Sequence, residues 1–176
     1  MTQADEPHSQ LLDDFKTTST LGTWISVNDS VMGGRSQGAA KINQAKNWLF
    51  KGDISLANNG GFSSIRTRGA KLNLSNYDGL EIKIKGDGRM YYLTARSSSK
   101  RTLAFWSPIQ PPKDEWTVIR VPFDSFYATY FGKKIPLIPL NTKNINSIGL
   151  MLYDKLAGSF QIETESIKAY KDSKVH

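Results

Sequence analysis

Leu80, Ile82 and Ile84 alternate with Glu81, Lys83 and Lys85 in LEIKIK. That period of two sends one row of side chains into a core and the other toward water. Gly86-Asp87-Gly88 then turns the chain, and MYYLTAR (90–96) is predicted to return as its hairpin partner. In SFQIETESIKAY the same alternation puts Phe160, Ile162 and Thr164 on one face and Glu163 and Glu165 on the other. Further strand-like runs are WISV, SQGAAKIN, NWLFKGDISL, GFSSIRTR, TLAFWSP, EWTVIRVP and INSIGLMLYD. No window of ordinary helix length sustains a 3.6-residue period, so the acidic entry segment and DSFYATYF are expected to form only short helical turns. IPLIPL, with Pro136 and Pro139, reads as an edge or a loop, because proline cannot donate to a ladder. About nine or ten short strands with Gly, Asn and Pro turns predict an all-β chain, an antiparallel β-sandwich or barrel.

At 176 residues the chain is most simply one domain. Its expected limits are 11–171, with flexible ends at 1–10 and 172–176. No stretch approaches the ~18 apolar residues of a membrane span. Zero cysteines exclude disulfides, thiolate catalysis and cysteine-bound metal. The polar, acidic start has the features of neither a secretory signal nor a mitochondrial leader, which sets the expectation of a cytoplasmic protein. The net charge of +7 hides an asymmetry: residues 1–15 hold four acidic and no basic residues, leaving the other 161 with +11. Such a body attracts polyanions or acidic partners through a screened field.

Much familiar chemistry is missing. The two histidines, His8 and His176, sit at the ends of the chain, which leaves no base for serine–histidine catalysis and no histidine metal site. No phosphate-loop or dinucleotide motif is present, and no spacing approaches a calcium loop. Glu163 and Glu165 fit a wet sheet face better than a pair of glycosidase carboxylates. The expectation is a chain that is not an enzyme and takes no cofactor or metal.

Two unusual motifs remain, VNDSVMGG and NNGGFSSIR. Gly33, Gly34, Gly60 and Gly61 permit a positive φ or the close approach of other groups, and Gly86 and Gly88 serve the later turn. Asn28 and Asp29 can fold back on nearby N–H groups. One reading makes the motifs interlocking turns, with Met32 and Phe62 as plugs. The other gathers Asn28, Asp29, Arg35, Asn59 and Arg66 into a rim that binds a polar ligand or peptide, with Asp29 and Arg66 as an ion pair. Arg66 and Arg96 both fall in strand patterns; they either share one concave face and present guanidinium forks to carboxylate or phosphate, or are exposed arginines of a solvated sheet face. Tyr92, Phe105 and Trp106 form either an aromatic platform beside them or part of the core.

WISVNDSVMGGRS, LFKGDISLANNGGFSSIR, YDGLEIKIKGDGRMYYL and INSIGLMLYDKLAGSFQIETESIKAY together resemble the complex I intermediate-associated protein family, over about residues 12–170. The resemblance implies a galactose-binding-like jelly-roll sandwich. Eukaryotic members of that family assist the assembly of respiratory complex I, and some plant relatives serve photosystem biogenesis. The function so implied is a non-catalytic binding module, an assembly or chaperone-like factor for a protein partner, with Asn28, Asp29, Arg35, Asn59, Arg66, Arg96, Tyr92 and Trp106 as candidate contacts. A jelly-roll carbohydrate-binding module is the alternative, on the strength of the aromatic strands. A nucleic-acid binder, motivated by the basic body and RSSSKRTLAFW, is the third reading.

Overall fold

Thirteen strands account for most of the residues described by the computed structural model, which are 9–16 and 19–172. The expected loose ends at 1–8 and 173–176, including both histidines, lie outside the described residues. The strands are β1 (Ser9–Asp13), β2 (Gly22–Asn28), β3 (Gln37–Ile42), β4 (Trp48–Ile54), β5 (Ser63–Gly69), β6 (Gly79–Lys85) and β7 (Tyr91–Ser97). They continue with β8 (Ala104–Ile109), β9 (Trp116–Pro122), β10 (Tyr127–Tyr130), β11 (Lys133–Ile135), β12 (Ile145–Leu152) and β13 (Gly158–Tyr170).

Two antiparallel sheets result. The seven-stranded sheet runs β11-β10-β8-β7-β12-β5-β2. The six-stranded sheet runs β3-β4-β13-β6-β9, and β1 lies beside the end of β13 that β4 leaves uncovered. Most connections pass from one sheet to the other, the winding of a jelly-roll sandwich. Alternation builds the core between them. Ile65, Leu93, Ala95, Phe105, Ile148 and Leu150 face inward from one sheet and Phe50, Leu80, Ile82, Ile84, Phe160 and Ile162 from the other. Phe50 and Phe160 meet edge to face at 4.9 Å. Each such aliphatic or aromatic side chain contributes about 1.5–3 kcal/mol by leaving water.

The outward acids of β13 behave as alternation predicts. Glu165 pairs with Lys83 at 2.5 Å and Glu163 with Lys85 at 3.2 Å, on the solvent face of the six-stranded sheet.

Three expectations need correction. First, β6 and β7 are not a hairpin: β6 pairs with β13 and β9, while β7 pairs with β12 and β8 in the opposite sheet. Gly86 and Gly88 serve a crossover, Gly88 at φ 86° and Gly86 hard against Pro111. Second, the acidic entry segment is strand. Ser9 and Gln10, assigned to the flexible end from the sequence, pair with Tyr170 and Ala169. Asp13 is buried and accepts from the Phe15 N–H, the Ser19 hydroxyl and the Trp24 indole, closing a Phe15–Trp24–Trp48 aromatic cluster. Third, DSFYATYF begins inside one short 3₁₀ turn, Phe123–Ser125, and most of the rest is β10. In each case the backbone donors and acceptors of a neighbouring strand edge decide the conformation.

Candidate functional site

Asp29 starts a 3₁₀ turn, Asp29–Met32, at the end of β2, and its carboxylate is fully buried. One oxygen accepts the Ser36 N–H at 2.9 Å; the other accepts Gly61 N–H at 2.6 Å and Phe62 N–H at 3.3 Å. Burial alone raises its pKa, but the hydrogen bonds from Ser36, Gly61 and Phe62 outweigh that and hold it below the ordinary carboxylate value. The glycines around it divide the labour. Gly33 and Gly61 take φ of 84° and 119°. At Gly34 and Gly60 a Cβ would come within 2.4 Å and 2.5 Å of the Asp29 carboxylate. Asn28 completes the knot, donating to Gly38 O at 3.1 Å and accepting from Ser63 Oγ at 2.5 Å.

Some sequence expectations therefore change. Arg66 is not among the groups bonded to the Asp29 carboxylate, so no Asp29–Arg66 ion pair forms. Met32 is no plug: it is 60% exposed beside Val31. Arg35 and Asn59 are exposed outside the knot, and Asn59 has φ 56°. Gly34 is needed for space and not for a positive φ. Gly34→Val is expected to cost about 1–3 kcal/mol by overpacking, read as a lower denaturation midpoint with unchanged m-value.

Arg89, which no motif singled out, uses its whole donor set in a second knot. Its Nε and Nη2 hold Asp154 at 2.8 and 2.7 Å, and further bonds go to the carbonyls of Leu156, Gly158 and Ser159. Asp87 anchors the same crossover by accepting from Tyr91 Oη and Gln161 N–H.

Arg66 and Arg96 are in a different condition. Arg66 on β5 and Thr94 on β7 flank Gly149 in one cross-strand row, and Arg96 lies two residues further along β7 on the same outer face. Among the described residues neither arginine has a hydrogen-bond acceptor or an ion-pair partner. Desolvation lowers the pKa of both, and the neighbouring charges of Arg68 on Arg66 and of Arg66 on Arg96 push in the same direction. The seven strands of this sheet contain Arg66, Arg68, Arg96, Lys133 and Lys134 and no Asp or Glu. All acidic strand residues belong to the other sheet.

Aromatic rings continue this outer face. Tyr92 and Trp106 lie 5.2 Å apart between centroids, Trp106 and Tyr153 6.1 Å, and Tyr153 and Phe62 6.4 Å. Tyr127 sits opposite Trp106 with the Lys134 ammonium 4.6 Å from its ring centre. Burial, together with the neighbouring Tyr92, pushes the Tyr127 phenol up to about 12. Phe105 points the other way and is core. Of the eight candidate contacts, Arg66, Arg96, Tyr92 and Trp106 share this face, Asn28 and Asp29 form the knot, and Arg35 and Asn59 belong to neither. Tyr127 and Tyr153 were not foreseen, because YATY and LYD carry no signal of which sheet they will join. A groove of about 690 Å³ opens beside the knot, lined by Asn28, Gln37, Lys51, Asp53, Ser159 and Gln161 among others. Its charges include both signs and it holds no aromatic row.

The profile of the family described as Complex I intermediate-associated protein 30 matches residues 13–164. The chain belongs to this family. The mouse Complex I intermediate-associated protein 30, mitochondrial, is 26% identical over 180 residues, covering 90% of this chain and 55% of the mouse protein. The Caenorhabditis elegans protein of the same description, named as probable, is 27% identical over 104 residues, covering 56% of this chain and 31% of its own. The chain thus spans between about a third and three fifths of the curated relatives it matches.

Among solved structures it is similar to the family 11 carbohydrate-binding module of Clostridium thermocellum Lic26A-Cel5E, with a TM-score of 0.71, 18% identity, and coverage of 98% and 99% of the two chains. The agarase AgWH50C matches with a TM-score of 0.65 and 10% identity, over 96% of this chain and 25% of that one. These likenesses establish the galactose-binding-like jelly-roll sandwich. The relatives are named for association with an intermediate of complex I. Among the described residues no helix is long and apolar enough to cross a membrane. The cytoplasmic expectation is corrected, since the family's relatives in worm, mouse and fly are named as mitochondrial. A polar, acidic stretch describes charge and does not report a compartment.

Proposed function

We propose that this chain is a non-catalytic protein-binding module, an assembly factor with chaperone-like action that docks a subunit or intermediate of a larger complex on the outer face of its seven-stranded sheet. The observation that carries the reading is that face itself: an aromatic row beside arginines with no acidic partner, on a rigid scaffold, in a chain of the complex I intermediate-associated family. Tyr, Trp and Arg are the residue types that dominate binding energy when an interface desolvates them. In this reading Asn28 and Asp29 position the β2–β5 edge without touching the partner. The immobilised chain is expected to enrich complex I subunits from a native extract holding assembly intermediates. Tyr92→Ala with Trp106→Ala is expected to reduce that enrichment about tenfold or more in a chain that still folds, as its circular dichroism spectrum checks. Equal recovery by wild type, double variant and a charge-matched control sinks the proposal.

The same aromatic row supports a second reading, carbohydrate binding. One similar structure is a family 11 module in complex with a β-1,3-1,4-mixed-linked tetrasaccharide, at 18% identity. Calorimetric titration with that tetrasaccharide separates the two: heat that vanishes in Trp106→Ala favours the sugar, and no heat removes it.

A further inference from the structure

We infer that Arg66, Thr94 and Arg96 form a carboxylate-binding subsite that takes acidic side chains of an extended partner segment, whose apolar side chains lie on the adjacent Tyr92, Trp106 and Tyr153 rings. This rests on the protein-docking reading above and names what the docked segment carries.

The donors are in place and their acceptors are not. Arg66 and Arg96 are half-buried, and the Thr94 hydroxyl makes no hydrogen bond among the described residues. Gly149 draws Arg66 and Thr94 together: a Cβ there would lie 2.8 Å from Arg66 Cβ and 2.9 Å from Thr94 Oγ1, so these two side chains close over bare backbone. The fold shows what a structural arginine looks like in Arg89, whose guanidinium is bonded to Asp154 and three carbonyls. Holding two guanidinium groups on one face, partly desolvated and without counter-charge, opposes folding. A bound carboxylate relieves that opposition, accepting two parallel N–H bonds from each planar fork it meets.

The spacing suits an extended peptide. Tyr92, Thr94 and Arg96 occupy successive outward positions of β7. Same-face positions on a strand repeat at about 6.5–7 Å, and an extended ligand presents its own side chains at that interval. An apolar residue over the Tyr92–Trp106 pair therefore places a glutamate two or four residues away among the arginine forks. Lys71, Lys100, Arg101 and Lys143 are exposed in loops that follow β5 and β7 and precede β12, at the Arg96 end of the sheet. They extend the positive field toward an acidic chain.

The test follows the arginine Nε–Hε signals by NMR while the full chain is titrated with a short peptide alternating glutamate with leucine or phenylalanine. Parallel arms use its glutamine counterpart, inorganic phosphate, an oligonucleotide, and sodium chloride at matched ionic strength. The expected result is that Arg66 and Arg96 shift with the glutamate peptide alone while Arg89 stays still. Affinity for it should exceed that for the glutamine peptide about tenfold or more, and Arg66→Gln with Arg96→Gln should abolish the preference without lowering the melting temperature. Equal shifts from phosphate or the oligonucleotide, equal binding of both peptides, no binding of either, or a double variant that loses several degrees of melting temperature each overturn it. If both peptides bind equally and Trp106→Ala removes both, the carboxylate subsite falls while the protein-docking face stands.

Discussion

Asp29→Ala is expected to lower the melting temperature by about 6–20 °C, the largest loss from any single substitution in the β2–β3 region. The fully buried carboxylate is the acceptor for three backbone N–H groups from two segments far apart in sequence, Ser36 on one side and Gly61-Phe62 on the other. Truncation leaves those donors buried and unpaired and opens a hole between Gly34 and Gly60. Together these cost about 3–5 kcal/mol, and in a chain of this size each kcal/mol shifts the midpoint by roughly 2–4 °C. Asp29→Asn is not a rescue, because its amide turns an NH₂ toward N–H donors. The pH dependence gives an independent check. The folded pKa of Asp29 lies below its unfolded value, so its stabilisation is complete above about pH 4 and is lost as the pH falls through the folded value. The acid limb of a melting-temperature profile should be shallower in Asp29→Ala than in wild type; parallel limbs would show that the carboxylate is not held as described.

Arg89→Ala is expected to cost about 3–5 kcal/mol, the penalty for leaving one member of a buried, bidentate ion pair alone. The Arg89 and Asp154 side chains are 14% and 7% exposed. Removing the guanidinium also strips donors from the Leu156, Gly158 and Ser159 carbonyls, which set the turn from β12 into β13. Arg89→Lys should recover only part of the loss, since one ammonium cannot span two carboxylate oxygens and three carbonyls. Denaturant unfolding of both variants measures this. A loss under about 1 kcal/mol, the ordinary value of an exposed pair, would contradict the burial on which the prediction stands.

Both knots show how the chain hides its logic. VNDSVMGG and NNGGF were legible as turns that belong together, yet the division of labour among the four glycines was not. Which glycine needs a left-handed φ and which needs empty space depends on where the Asp29 carboxylate ends up, 32 residues from Gly61. Arg89 gave no signal at all, because its acceptors are 65 to 70 residues away along the chain. The proposed binding face was half legible. Arg66, Arg96, Tyr92 and Trp106 were singled out by residue type and strand position; Thr94, Gly149, Tyr127 and Tyr153 join them only through the cross-strand register.

By itself the sequence determined the alternation of core and solvent positions, hence an all-β sandwich or barrel, and through its long paired motifs the family, whose fold is the sandwich. Side-chain period and turn chemistry are local properties, carried by residues two to four apart. Tertiary structure alone decided which strands share a sheet. LEIKIK and YYLTAR alternate equally well as a hairpin or as strands of opposite sheets, and only the edges of β12 and β13 break the tie. That choice gathered every acidic strand residue into one sheet and left Arg66 and Arg96 on one face of the other, with β12 between them. Neighbours across a sheet are set by long-range pairing, which local pattern does not encode, and on this face that pairing is what turns scattered arginines and rings into a surface.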